Sequence, residues 1–141
     1  MRAALDTNLL LSSLISSGSV PDLVYRAWRD GLFELVTSEW QLGELERAGR
    51  YPRLQKYMKP RELDAMVGGI RLGAVVLEEL PEVDAAPDPD DNPLLATALS
   101  GGAEYLVTGD KGVLGLKRFE SVVILTARAF LEEVIEPIRN E

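Results

Sequence analysis

The chain has 141 residues, of which 46% are hydrophobic and 27% are charged, and its net charge is −8. This length and composition are typical of a globular protein, and we predict that residues 1–141 form one domain. No apolar run approaches the roughly 20 residues that span a bilayer, so we expect no membrane segment. The sequence has no cysteine, which excludes disulfides and thiolate metal sites and favours a cytoplasmic location.

The chain also contains no histidine. Histidine is the usual general base near neutral pH, so its absence excludes Ser-His-Asp and Cys-His catalysis. Any catalysis must use carboxylates, hydroxyls, Lys or Arg, together with a hard cation that prefers oxygen ligands. The negative net charge argues against nucleic-acid binding by overall charge, although a local basic patch would still permit it.

Short apolar runs alternate with stretches of helical periodicity along the sequence. This alternation predicts an α/β fold in which a central parallel sheet of about five strands has helices on both faces. The strand that ends before Asp6 is expected at the centre of the sheet, next to the strand that ends before Thr108. The predicted strands are Ala3–Leu5, Phe33–Val36, Ala74–Leu77, Tyr105–Val107 and Val122–Leu125.

Capping residues mark the starts of several predicted helices. Ser19, Ser38 and Thr126 each precede an apolar helical stripe. Gln41 lies three residues after Ser38 and completes the pattern of a capping box. Residues 78–90 are acidic and contain three prolines, so this segment is predicted to be irregular.

Four acidic residues stand where parallel strands would deliver them to one edge of the sheet. Asp6 and Asp110 closely follow predicted strands, Asp91 begins the helix after the third strand, and Glu44 lies early in the helix after the second. Open α/β sheets bind ligands at this edge. Two carboxylates about 4 Å apart repel by roughly 4 kcal/mol at an effective dielectric of 20, so the cluster requires a cation or protons. An all-oxygen site of this kind favours Mg²⁺ or Mn²⁺.

Three of these acids also have a simpler interpretation. A helix cap would account for Asp91, a turn beside Gly109 for Asp110, and solvated helix surface for Glu44. Asp6 is harder to explain in this way, because apolar segments precede and follow it. The three aspartates of residues 78–90 are interpreted as solvated loop residues, and they are Asp84, Asp88 and Asp90.

Four segments together resemble the motifs of the PIN domain, the metal-dependent ribonuclease fold of VapC-like toxins in bacterial and archaeal toxin–antitoxin pairs. The order and spacing of the segments agree over nearly the whole chain. One position departs from the pattern, because Gly112 stands where relatives often carry another acid of the second metal site. The segments are D-T-N at Asp6–Asn8, S-E-W-Q-L-G-E-L at Ser38–Leu45, D-P-D-D-N-P-L-L-A-T-A-L at Asp88–Leu99 and Y-L-V-T-G-D-K at Tyr105–Lys111.

The resemblance implies a ribonuclease in which one or two divalent ions, Mg²⁺ or Mn²⁺, activate water and neutralise the scissile phosphate. In-line attack of that water would leave a 5′-phosphate and a 3′-hydroxyl. The resemblance also implies an RNA substrate, a cognate antitoxin protein and a homodimer. The site residues that it implies are Asp6, Asp91 and Asp110 as direct ligands, Glu44 for a second ion or a metal-bound water, and Asn8 and Thr108 as polar support.

The segment Arg47–Arg61 is strongly basic and contains no acid. It directly follows Glu44 and includes Tyr51 and Tyr57. Lys and Arg bind backbone phosphates and tyrosine stacks on unpaired bases, so this segment is predicted to bind RNA. A solvated face or an antitoxin-binding surface would explain it equally well. The residues predicted to contact RNA are Arg47, Arg50, Arg53 and Lys56.

Three other functions fit parts of the sequence. A Mg²⁺-dependent phosphatase of the haloacid dehalogenase type also places an aspartate after its first strand, but it requires a second aspartate where this chain has Asn8. A phosphate-accepting receiver domain requires an adjacent acidic pair near the first strand, which is missing. A catalytically weak PIN-like module that binds RNA or protein is the third alternative, and Gly112 is the feature that favours it.

Overall fold

One six-stranded sheet runs through the computed structural model, which describes residues 1–141. The order of its strands is β3-β2-β1-β4-β6-β5, and β5 alone pairs in an antiparallel sense. The predicted α/β fold with a mostly parallel sheet is confirmed, as is the central place of β1 beside β4. The strands are β1 (Arg2–Leu5), β2 (Glu34–Ser38), β3 (Val75–Leu77), β4 (Tyr105–Val107), β5 (Arg118–Phe119) and β6 (Val122–Leu125).

Helices cover both faces of the sheet. The apolar side chains of β1 alternate between the two faces, so that Ala3 and Leu5 join a core of 20 buried residues while Ala4 joins a second core of 10. Both faces are buried, which is why the strands read as continuous apolar runs. None of the helices is long and apolar enough to cross a membrane.

Most of the helices connect successive parallel strands. The final helical region changes from α-helical to π-helical hydrogen bonding at Leu131–Ile135 and back again before the C-terminus. The helices are α1 (Thr7–Ile15), α2 (Val20–Arg29), α3 (Glu39–Gly49), α4 (Pro60–Gly73), α5 (Asn92–Ser100), α6 (Lys111–Leu114), α7 (Ala127–Phe130) and α8 (Glu136–Arg139).

The predicted caps form at three helix starts, where the side chains of Ser19, Ser38 and Thr126 accept hydrogen bonds from backbone N–H groups. The other half of the predicted capping box does not form. Gln41 is buried, and its side chain bonds to Leu5 and Thr37 instead of returning to Ser38. A buried amide needs partners for both of its ends, and here they come from two strands.

Candidate functional site

Asp6 lies at the carboxyl edge of the sheet, directly after β1. The residue is only 8% exposed. One carboxylate oxygen accepts a hydrogen bond from the N–H of Leu9 at 3.0 Å and caps α1, and the other accepts from the hydroxyl of Thr108 at 2.5 Å. The strand order reverses between β1 and β4, so Asp6 and Thr108 meet at the topological switch point where α/β folds bind ligands.

Asp110 is joined to Asp6 through Thr108. The backbone N–H of Asp110 donates to the Thr108 hydroxyl oxygen at 3.0 Å, while that hydroxyl donates its own hydrogen to Asp6. One Asp110 carboxylate oxygen accepts from the N–H of Val113 at 2.9 Å and caps α6. The other oxygen makes no hydrogen bond within the chain. Thr108, predicted as polar support, therefore contacts both of these acidic residues.

Asp91 ends a short 3₁₀ turn, Pro89–Asp91, that leads into α5. Its side chain makes no capping hydrogen bond, so a capping role does not account for it. The neighbouring residue Asn92 holds the loop instead, because its side-chain oxygen accepts from the N–H groups of Ala85 and Ala86 at 3.0 and 2.8 Å. Asp91 is thus placed beside an anchored loop, with its carboxylate free of hydrogen bonds from the chain.

The charges of the other acids act on Asp91. Burial raises the pKa of the Asp91 carboxyl above the ordinary value and has the largest effect. The negative charges of four other acids raise that pKa further, and their effects decrease in the order Asp110, Asp88, Asp6 and Glu44. Each of these charges disfavours ionisation of Asp91 because like charges repel. The four acids that the sequence singles out therefore share one electrostatic environment.

Asp88 belongs to the same environment, although the sequence suggested only a solvated loop residue. It is exposed and caps the 3₁₀ turn through a hydrogen bond from the N–H of Asp90 at 3.0 Å. The signal that points to Asp88 is its spacing from Asp91, since side chains three residues apart lie on the same side of a 3₁₀ turn.

Glu44 is half-buried on α3, one turn after Gln41. The Gln41 side chain donates to the carbonyl oxygen of Leu5 at 2.6 Å and accepts from the hydroxyl of Thr37 at 2.7 Å. These bonds tie α3 to the residue that precedes Asp6. Because residues three apart lie on one side of a helix, Gln41 also sets the position of Glu44 relative to the sheet edge.

The donor set fits a hard divalent cation, although no three acidic side chains lie close enough together in this arrangement to hold an ion. All of the donors are oxygens, which is the preference of Mg²⁺ and Mn²⁺. Asp91 and Asp110 both have carboxylate oxygens without hydrogen bonds from the chain. Burial and the charges of four neighbouring acids raise the pKa of Asp91, and no Lys or Arg is among the groups that shift it.

Gly112 faces the carboxylate of Asp110. A Cβ atom added at this glycine would lie 3.2 Å from an Asp110 carboxylate oxygen and 3.8 Å from Pro87. A side chain at position 112 would therefore enter the site, where the family resemblance leads one to expect a further acid. In this chain residue 112 is a glycine, so only backbone atoms lie beside the Asp110 carboxylate at this position.

A cavity of about 720 Å³ opens beside the start of α5. Trp40, Glu78, Glu82 and Asp84 contribute to its lining, whereas none of the four site acids and no Lys or Arg does. An acidic cavity without a cation repels phosphate. It is therefore a poor path for a nucleic acid, despite its size.

The basic segment Arg47–Arg61 carries unneutralised positive charge. Arg50 forms an ion pair with Asp64 at 3.1 Å, and none of the other five cations in the segment has an ion-pair partner. Tyr51 and Tyr57 are 52% and 62% exposed. Free cations and exposed aromatic rings are the groups that contact single-stranded nucleic acids.

An α/β sheet with acidic residues at its switch point is typical of proteins that bind ligands at the carboxyl ends of their strands. Residues 2–112 match the family model described as the PIN domain, and the chain belongs to that family. Its structure is similar to that of VapC20 from Mycobacterium tuberculosis, a toxin that cleaves the sarcin–ricin loop. The TM-score is 0.51 with 17% sequence identity, over 84% of this chain and 97% of that chain. No curated protein matches the sequence significantly.

Proposed function

We propose that this protein is a metal-dependent endoribonuclease and the toxin of a toxin–antitoxin pair. The observation that carries the proposal is the hydrogen-bonded chain Asp6–Thr108–Asp110 at the carboxyl edge of the sheet, together with Asp91, whose pKa is raised by its burial and by the charges of Asp110, Asp88, Asp6 and Glu44. Membership of the PIN domain family and the RNA-cleaving activity named for VapC20 support it. In this proposal Asp6, Asp91 and Asp110 bind Mg²⁺ or Mn²⁺.

The bound ion or ions would supply an activated water and neutralise charge on the scissile phosphate. The chain's own residues orient the ligands. Thr108 donates to Asp6 and so keeps that carboxylate fixed as an acceptor. Glu44, placed through Gln41, accepts a hydrogen bond from water or binds a second ion. Asn8 is exposed on the first turn of α1 and is available to the substrate.

The RNA 2′-hydroxyl route with paired histidines is absent from this proposal, because the chain has no histidine. Hydrolysis by water is expected to leave a 5′-phosphate and a 3′-hydroxyl. A cognate antitoxin as partner belongs to the same proposal, and the homodimer and the cytoplasmic location remain predictions from the sequence.

Purified protein should cleave single-stranded RNA in the presence of Mg²⁺ or Mn²⁺. Cleavage should stop when EDTA is added and should resume when the metal ion is restored. Cleavage is measured on an end-labelled oligonucleotide, and the 5′-phosphate on the product is checked by its ligation to a second RNA. Intact RNA under all three conditions would favour the catalytically weak RNA- or protein-binding module. Release of phosphate from a small phosphomonoester without RNA cleavage would favour the phosphatase alternative.

The basic segment is proposed to hold the phosphates of the substrate. Replacing Arg47, Arg53 and Lys56 by Ala removes three cations that have no ion-pair partner, so binding of single-stranded RNA should weaken. The slope of log affinity against log salt should become shallower by up to roughly 0.7 per lost contact. Binding is measured by fluorescence anisotropy at several salt concentrations, in protein that carries Asp91→Asn so that the RNA stays intact.

The matched control replaces three cations elsewhere on the surface that also have no ion-pair partner, Arg29, Lys117 and Arg118, and changes the net charge equally. It should alter the salt slope much less. Equal effects of the two triple variants would mean that only overall charge matters, and the basic segment would then be a protein-binding or solvated surface.

A further inference from the structure

A pocket of about 230 Å³ opens between α1 and the basic segment. One wall is a single face of α1, formed by Asn8, Leu11 and Ile15 at helical spacing. Tyr51, Arg53 and Leu54 from the basic segment form the opposite wall. The pocket therefore joins a face of α1 that is partly apolar, through Leu11 and Ile15, to the part of the chain that carries free positive charge.

Both walls continue elements that carry acids of the site. Asn8 lies two residues after Asp6, in the first turn of α1. Ala48, which also lines the pocket, lies one turn after Glu44 on α3. Parts of the pocket lining therefore lie within one helical turn of Asp6 and of Glu44, two acids of the proposed site of cleavage.

The residues that line the pocket favour one kind of ligand. Its apolar residues and the ring of Tyr51 offer a surface to a flat, weakly polar group, and Asn8 offers a donor and an acceptor. The guanidinium of Arg53 lies 5.9 Å from the centre of the Tyr51 ring. No acid lines the pocket, in contrast to the cavity beside α5.

We propose that this pocket binds an unpaired base of the RNA substrate next to the cleaved phosphate and sets the base preference of the enzyme. The proposal rests on the ribonuclease function proposed above. Single-stranded bases are recognised by stacking on aromatic rings and by hydrogen bonds to their edges, and the pocket offers groups for both. The unpaired cations around it favour a polyanion over a neutral or basic peptide, and the exposed ring of Tyr51 favours a polyanion that carries flat bases.

The test is the response of Tyr51→Ala to RNA with one base removed. Binding is measured by fluorescence anisotropy in Mg²⁺, in protein carrying Asp91→Asn, with a set of oligonucleotides that each have one abasic position. Parent protein should bind most weakly when one particular base is missing. Tyr51→Ala should bind intact RNA about 5- to 150-fold more weakly, which is the loss expected for one base–aromatic stack, and should be insensitive to that abasic position.

Tyr57→Ala is the matched control, because Tyr57 is a similarly exposed tyrosine of the basic segment that does not line the pocket. It should keep the sensitivity of the parent to the abasic position, and Tyr51→Phe should keep it too, since the ring is retained. Comparison of the variants' melting temperatures separates loss of the stack from loss of folding.

The two proposals fail in different ways. RNA that stays uncleaved by the parent protein, together with a Tyr51-dependent response to the abasic position, would refute the nuclease and retain the base pocket. Cleavage with no difference between Tyr51→Ala and Tyr57→Ala at any abasic position would overturn the base pocket. The pocket would then be assigned to a protein partner.

Discussion

Asp91→Asn should abolish RNA cleavage and, in EDTA, raise the melting temperature. Asp91 has no capping hydrogen bond to lose, and the neighbouring carboxylates and its burial already disfavour its charge. Removing one like-charge interaction near the surface should add roughly 0.5–1 kcal/mol to the free energy of unfolding, or about 2–4 °C in melting temperature. Cleavage should fall by at least roughly 100-fold, beyond the usual effect of a residue that only supports a ligand.

The variant should also gain less stability than the parent when Mg²⁺ or Mn²⁺ is added, because a bound ion stabilises the folded state through its affinity. Melting followed by circular dichroism in EDTA and along a metal titration measures both effects. Asp84→Asn is the control, since Asp84 is an exposed acid that does not affect the pKa of Asp91. Normal cleavage by Asp91→Asn, or a lower melting temperature in EDTA, would contradict a charge-crowded metal site.

Asp6→Asn should behave differently although it removes the same charge. The Thr108 hydroxyl donates to Asp6 and accepts from the backbone of Asp110. An Asn side chain that turns its NH₂ group toward Thr108 would leave that hydroxyl without an acceptor, and a buried unsatisfied group costs about 1–3 kcal/mol. The hydrogen bonds of Asp6 therefore oppose the gain from reduced repulsion, which makes Asp91 the clearer test.

Gln41→Ala should lower the free energy of unfolding by about 2–4 kcal/mol, from the cavity and from the two partners left without hydrogen bonds. Gln41 is 1% exposed, and its side chain bonds to Leu5 and Thr37. Cleavage should fall as well, because the tie between β1 and the helix of Glu44 is lost. Urea unfolding measures the first effect, and cleavage at a temperature where the variant is folded measures the second.

Gln41→Met separates the two causes, since it fills the space but removes both hydrogen bonds. It should be more stable than Gln41→Ala and still impaired in cleavage. Gln55→Ala is the surface control, because Gln55 is exposed and makes only one long hydrogen bond of 3.4 Å. It should change the free energy of unfolding by less than about 0.5 kcal/mol. Equal stability of Gln41→Ala and Gln55→Ala would show that the tie to β1 does not hold α3.

The parallel strands could be predicted because helices cover both faces of the sheet, so that each strand contains a short run of apolar residues. β5 escaped prediction because two residues, Arg118 and Phe119, are too few to form a pattern. Its pairing with β6 depends on a turn that includes Glu120 at φ 52°, a backbone conformation that favours glycine or asparagine and that nothing in this sequence signals.

The site was predictable to the extent that each acid stands in a fixed relation to its own strand or helix. The side-chain contacts that join one element to another could not be predicted. The local pattern around Gln41 is that of a helix cap, whereas its actual partner Leu5 lies 36 residues away and becomes its neighbour only once β1 and α3 pack. Asn92 has nearer partners, Ala85 and Ala86, but they lie in the irregular loop before it, whose path no sequence pattern predicts.

The hydrogen bond between Thr108 and Asp6 joins residues 102 positions apart, and β1 needs β4 as its second neighbour. At about 5–20 residues per second, a ribosome makes Thr108 roughly 5–20 s after Asp6. During that interval the nascent chain has the first acidic residues but not the strand that positions them. The protein is therefore synthesised without an assembled site, and the proposed cleavage can begin only after most of the chain has been translated. In the proposed toxin–antitoxin pair, an antitoxin translated in the same period has time to bind the chain before the site is assembled.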